Sequence, residues 1–140
     1  PAYANSESMT VIGGINLGAG VALKGYWGGT TQLWTVEKQP DGTFKLFPSF
    51  YPSTTLTVGG SGVSGSSVFI TTDNANAATN GNQRWSVGLE PDGSYHLTSK
   101  ASTTASCVLN ATGTAENATI NVFSYWGNQP SVRWFFVHRP

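Results

Sequence analysis

The chain has 140 residues, seven Lys plus Arg against seven Asp plus Glu, and only 10% charged residues. That length suits one domain, and the missing basic clusters exclude electrostatic capture of nucleic acid or of an anionic membrane. A 39% hydrophobic and 12% aromatic content is enough for a packed core, while no apolar run approaches the roughly 20 residues that span a bilayer.

Thr, Ser and Asn make up 42 of the 140 residues, and there are 17 Gly. Such a chain is poor in helix formers and rich in strand and turn formers. Its surface is wetted by hydroxyls and amides rather than ions, which suits neutral polar partners.

In chain order, a first apolar strand with a Gly turn reads Met9-Thr10-Val11-Ile12-Gly13-Gly14. The strand Val21-Ala22-Leu23 follows, and then an aromatic pair among glycines, Gly25-Tyr26-Trp27-Gly28-Gly29. Gln32-Leu33-Trp34-Thr35-Val36 precedes Pro40-Asp41-Gly42-Thr43-Phe44, and Asp-Gly between alternating apolar runs is a strong hairpin signal. The series then repeats: Leu56-Thr57-Val58-Gly59-Gly60, Ser67-Val68-Phe69-Ile70, a polar stretch from Thr71 to Asn82, Gln83-Arg84-Trp85-Ser86-Val87 and Pro91-Asp92-Gly93-Ser94-Tyr95. A third series runs Cys107-Val108-Leu109-Asn110, Ile120-Asn121-Val122-Phe123, Ser124-Tyr125-Trp126-Gly127-Asn128 and Val132-Arg133-Trp134-Phe135-Phe136.

Trp34, Trp85 and Trp134 are 51 and 49 positions apart. Each unit holds about four short strands, and no segment sustains a 3.6-residue apolar period. Three four-stranded units in one 140-residue domain predict an all-β protein, a β-trefoil of three pseudo-repeats of about 50 residues with almost no helix. The repeats fall at roughly 1–50, 51–101 and 102–140, with a first strand that is short or missing.

The Gln-x-Trp segments at Gln32 and Gln83, the Gly-Gly and Asn-Gly turns and the Thr-Val-Gly-Gly stretches resemble the ricin-type (ricin B-like) β-trefoil lectins, from about Ser8 to Val137. Val132 stands where a third Gln is expected. The resemblance implies that Trp34, Trp85 and Trp134 are core residues and that the Gln amides tie turns to backbone. It implies further a non-catalytic carbohydrate-binding protein. Sugar sites in that family combine an early-strand Asp, an aromatic on the second strand and an Asn or Gln. The early-strand positions here align as Thr10, Thr57 and Val108, and the stacking positions as Lys24, Thr71 and Phe123.

A carbohydrate site is therefore expected in the third repeat, carried by Phe123, Tyr125, Trp126, Asn121 and Asn128. A second is expected around Tyr26, Trp27 and Lys24. Neutral sugars offer a flat C–H face for aromatic stacking and hydroxyl pairs for amide hydrogen bonds. Such shallow sites bind weakly one by one and gain from multivalency. Glycans or glycoproteins are the expected partners. The alternative is a trefoil scaffold that has lost sugar binding and serves a protein partner as an accessory subunit or inhibitor-like module, with its Tyr-Trp pairs as interface anchors.

No nucleophile, base and orienting group can be assembled from the spacings, so no enzyme is expected. Asp41 and Asp92 belong to turns, Glu37 and Glu90 are expected on exposed hairpins, and His96 and His138 read as exposed. One cysteine excludes an internal disulfide and reads as a buried thiol equivalent to Met9 and Leu56. No metal or cofactor is implied. Two sequons, at Asn110 and Asn117, tip the expected compartment slightly toward secretion.

Overall fold

The computed structural model describes residues 7–74, 81–102, 106–127 and 129–139. Ten five-residue strands are present among them, with single 3₁₀ turns at Thr30–Gln32, Gly81–Gln83 and Pro130–Val132. The strands are β1 (Glu7–Val11), β2 (Val21–Gly25), β3 (Trp34–Lys38), β4 (Phe44–Pro48), β5 (Thr54–Val58), β6 (Val68–Thr72), β7 (Trp85–Leu89), β8 (Tyr95–Ser99), β9 (Cys107–Ala111) and β10 (Ile120–Ser124). The molecule is an all-β trefoil.

Three antiparallel hairpins, β1–β2, β5–β6 and β9–β10, form the cap, and β3–β4 and β7–β8 build the barrel wall. The wall is joined by the bridges Phe44↔Trp85, Thr98↔Val108 and Tyr95↔Trp134. The wall hairpins turn as the Asp-Gly signals require. Asp41 Oδ1 accepts from the Thr43 amide and hydroxyl, Asp92 Oδ1 accepts in the same way from Ser94, and Gly42 and Gly93 take φ of 85° and 84°. Arg84 then binds the outer oxygen of Asp41 at 3.1 Å, and Arg133 that of Asp92 at 3.0 Å. The residue between Gln (or Val) and Trp thus ties each turn to the next repeat.

Indole N–H groups set the register inside each repeat. Trp34, Trp85 and Trp134 donate from Nε1 to the carbonyls of Met9, Leu56 and Leu109, at 3.0, 3.2 and 3.0 Å. Trp85 and Trp134 are buried and Trp34 is half-buried, packed against a core that includes Leu23, Leu46, Leu56, Ile70, Leu97, Leu109 and Val122. These bonds correct the alignment of the third repeat by two residues. Leu109 is the equivalent of Met9 and Leu56, and Asn110, rather than Val108, is the equivalent of Thr10 and Thr57. Cys107 is buried as expected, but it matches Glu7 and Thr54 in strand register.

The cap hairpins interlock cyclically. Gly18 and Ala19 exchange backbone bonds with Ile70, Gly65 and Ser66 with Val122, and Asn117 and Ala118 with Leu23, at 2.7–3.0 Å. The donor at the turn must adopt positive φ to aim its N–H at the neighbouring strand, and φ is 85° at Gly18, 92° at Gly65 and 72° at Asn117. Asn is the non-glycine residue that tolerates this region best. Replacing Asn117 by Ala should cost about 1 kcal/mol, and replacing it by Gly should cost little or nothing. Thermal unfolding checks this, with a drop in Tm of about 3 °C expected for Asn117→Ala alone.

Candidate functional site

Each repeat sends a short loop from its second cap strand toward its barrel strand, and a side-chain amide holds that loop. In the first repeat Gln32 Oε1 accepts from the Trp27 and Gly28 amides, while Nε2 donates to Thr10 Oγ1 and to the Gly25 carbonyl. In the second, Gln83 accepts from the Asn74 amide and donates to Thr57 Oγ1 and to the Thr72 carbonyl. The third repeat has buried Val132 at that position, and Gln129 takes over the loop by accepting from the Trp126 amide at 2.8 Å. The expected role of the Gln amides is thus met in two repeats and transferred by three residues in the third.

That transfer changes the floor of the third site. With no Gln side chain lying on it, Asn110 instead donates from Nδ2 to Asn121 Oδ1 at 2.8 Å. The two residues face each other across the β9–β10 pair. Asn110 Oδ1 and Asn121 Nδ2 have no other partner among the described residues. The amide pair floors an open groove of about 680 Å³ whose other walls include Thr112, Phe123, Gln129 and Ser131. Trp126 is 74% exposed, with its ring centroid 6.1 Å from that of Phe123 and tilted by 60°. The structure therefore brings Asn121, Phe123 and Trp126 together, and adds Asn110 and Gln129. Asn128 lies outside the described residues.

Tyr125 has a different surrounding. Its hydroxyl donates to Glu90 Oε1 at 2.5 Å, and its ring stacks on His96 with centroids 4.7 Å apart. His96 Nδ1 lies 2.6 Å from the same carboxylate oxygen, and Arg133 lies 3.8 Å from the other. Glu90, expected on an exposed hairpin, is buried, and His96, expected to be exposed, has a side chain only 23% accessible. The cause is tertiary: the loop of the third repeat folds over the β7–β8 hairpin of the second, and Gly88 leaves room for the His96 ring. The Tyr125 hydroxyl holds the Glu90 carboxyl below the usual glutamate range, with His96 and Arg133 adding to the effect against the cost of burial. In return Glu90 pushes the Tyr125 phenol up.

The equivalent position in the other repeats also makes a tie. Asp73 pairs with buried Lys45 at 2.6 Å, and Lys45 donates also to the Asn74 carbonyl. Tyr26 receives the Arg139 guanidinium over its ring at 4.7 Å. Asn82 spends its amide nitrogen on the Val58 and Gly60 carbonyls, so both it and Asp73 are engaged within the second repeat. In the first repeat Trp27 is 60% exposed and lies against Gly29, where no side chain would fit. Lys24 occupies the strand position that Phe123 holds in the third repeat.

No protein-family model and no curated protein sequence matches the chain. Solved structures do. A designed threefold-symmetric protein, ThreeFoil, superposes with a TM-score of 0.83 at 24% identity, covering 95% of this chain and 91% of that one. The Rhizoctonia solani agglutinin gives 0.77 at 11% identity over 98% and 91% of the two chains. The Polyporus squamosus lectin gives 0.78 at 15% identity over 96% of this chain and 45% of its own. The shared fold is the β-trefoil. Two of these three neighbours are named as a lectin or an agglutinin.

Two outcomes follow from the ion pairs. Asp73→Ala strands a buried ammonium and should destabilise by about 3 kcal/mol, whereas Lys45→Met, which removes the buried charge itself, should cost less; denaturant unfolding separates them. Because Glu90 titrates lower folded than unfolded, its contribution is complete above the ordinary glutamate pKa and is lost as pH falls through the depressed folded value. Unfolding free energy measured between pH 3 and 7 should therefore fall less steeply below about pH 4.5 in Glu90→Gln than in the parent.

Proposed function

We propose that the protein is a non-catalytic carbohydrate-binding trefoil whose principal site is the groove of the third repeat. One observation carries this reading: a half-exposed Phe123 lines a groove floored by the Asn110–Asn121 amide pair, and the exposed Trp126 ring lies next to Phe123. An aromatic surface above unspent amide donors and acceptors matches the C–H face and paired hydroxyls of a neutral sugar ring. Burying one ring face on an open groove offsets little more than the entropy of binding, so the affinity per site is weak. The fold analogy supports the reading, since the Polyporus squamosus lectin was crystallised with a sialylated glycan, Neu5Acα2-6Galβ1-4GlcNAc.

The first repeat supplies a lesser contact through Trp27, because Lys24 gives no ring face beside it. In the second, Asp73 and the Asn82 amide nitrogen are engaged internally. No Asp or Glu is among the described residues that line the groove; Asp41, Asp73 and Asp92 are each bound to Lys or Arg, and Glu90 meets Tyr125, His96 and Arg133.

A glycan array followed by titration with the best ligand tests the proposal. Trp126→Ala should weaken binding at least about tenfold, or about 1.4 kcal/mol, and Trp27→Ala should weaken it less. A blank array with folded protein would sink the carbohydrate reading in favour of a trefoil that engages a protein partner through the same aromatic residues.

A further inference from the structure

We infer that Glu90, a residue of the second repeat, is a positioning residue for the sugar site of the third, acting through Tyr125 on the loop that carries Trp126. The inference rests on the reading of that groove as the binding site, but its structural half stands apart from any ligand. Glu90 directly follows the β7 strand and opens the Asp-Gly turn, where its own amide donates to the Ser94 carbonyl. Its carboxylate reaches out of the second repeat and receives the Tyr125 hydroxyl. Tyr125 is the residue before Trp126, so the bond sets the direction in which the chain leaves β10.

Three further contacts hold the same loop. The Tyr125 amide donates to the Ser106 carbonyl, the Tyr125 ring lies on His96, and Arg133 donates to the Gly127 carbonyl at 3.3 Å while also binding Asp92. Gly127 has φ of 87° and reverses the chain so that the Trp126 amide meets Gln129. The loop is therefore clamped on both sides of Trp126: at Tyr125 by Glu90 and His96, and at Gly127 by Arg133. In the first repeat the Tyr26-Trp27-Gly28 loop has the same sequence pattern and a matching φ of 78° at Gly28, but its tyrosine meets Arg139 and no carboxylate. The third-repeat loop alone of this pair is anchored by a buried acid.

A clamp of this kind fixes the backbone that carries the indole before the ligand arrives, so less loop entropy is lost on binding. Because the Glu90 carboxylate is the acceptor, with His96, Arg133 and Asp92 as the other titratable or charged groups around it, the clamp holds through the neutral range and loosens in acid once Glu90 takes up a proton. No charged group from the groove itself is needed for this response.

The experiment is a double-mutant cycle with Glu90→Gln and Tyr125→Phe, read in two ways. The first readout is the indole N–H resonance of Trp126 in the nuclear magnetic resonance spectrum of isotope-labelled full-length protein, assigned by its loss in Trp126→Phe. Each single variant should shift or broaden that resonance while leaving the indoles of Trp34, Trp85 and Trp134 in place, and in the parent the same change should appear on acidification below about pH 4. The second readout is affinity for the best glycan of the array, or for galactose as the standing probe. Each single variant should weaken it about fivefold, the worth of one hydrogen bond, and the double variant should be no weaker than either single one. An unmoved Trp126 resonance in both variants, or additive losses in affinity, would overturn the inference. A resonance that moves in a protein that binds no sugar would leave the positioning role intact and defeat the proposed function instead.

Discussion

The bond from each tryptophan indole to a cap-strand carbonyl is the constraint on which the rest of the molecule depends. A buried indole N–H without an acceptor costs about 1–3 kcal/mol, and in each repeat the acceptor is the carbonyl of Met9, Leu56 or Leu109. Once that carbonyl is chosen, the next residue is turned away from the core, and Thr10, Thr57 and Asn110 take equivalent places in the three hairpins. Slipping the pairing by one residue would turn every apolar side chain of the hairpin away from the core. The bond thus decides which polar groups can meet a ligand.

Threefold geometry supplies three copies of one site, and the side chains at the copies are used in three ways. The residue after the second cap strand is Tyr26, Asp73 or Tyr125, and each is tied to a neighbouring element by a different interaction: a cation over a ring, a buried ion pair, or a hydroxyl on a carboxylate. What remains exposed beyond that tie is Trp27 in one repeat and Trp126 in another. The pairing of Lys45 with Asp73 consumes the polar capacity of the second repeat for stability. In the third, substitution of the Gln by Val132 removes an amide from the floor and leaves Asn110 and Asn121 with unspent hydrogen-bonding capacity. Loss of one repeat's consensus side chain is therefore what opens its groove.

The loops that follow the cap hairpins are held by amides rather than by packing. Gln32, Gln83 and Gln129 each accept one or two backbone N–H bonds from a loop that buries little apolar surface. A protein with only 10% charged residues stabilises its surface in this manner because amides and hydroxyls can both donate and accept, and so satisfy the backbone groups that irregular loops leave unpaired. The few charges are spent at the places where one repeat must be attached to the next, as at Asp41–Arg84 and Asp92–Arg133.

The sequence by itself determined the all-β class, the three-unit plan, the two Asp-Gly wall hairpins and the core position of the tryptophans, because these are encoded in local periodicity, turn chemistry and self-similarity. It also placed Phe123 and Lys24 at equivalent positions, since the spacing back from Trp134 and Trp34 is short. It misaligned the early strand of the third repeat, where neither Cys107 nor Val108 carries the hydrogen bond that identifies the equivalent residue, and so it overlooked Asn110 as the floor. Gln129 was missed because a tether displaced by three residues keeps no motif. The burial of Glu90 beneath Tyr125, 35 positions away, was decided only by the tertiary structure. Contacts between repeats arise from how three hairpins close around a common axis, and no local pattern in either partner records which side chain will be covered.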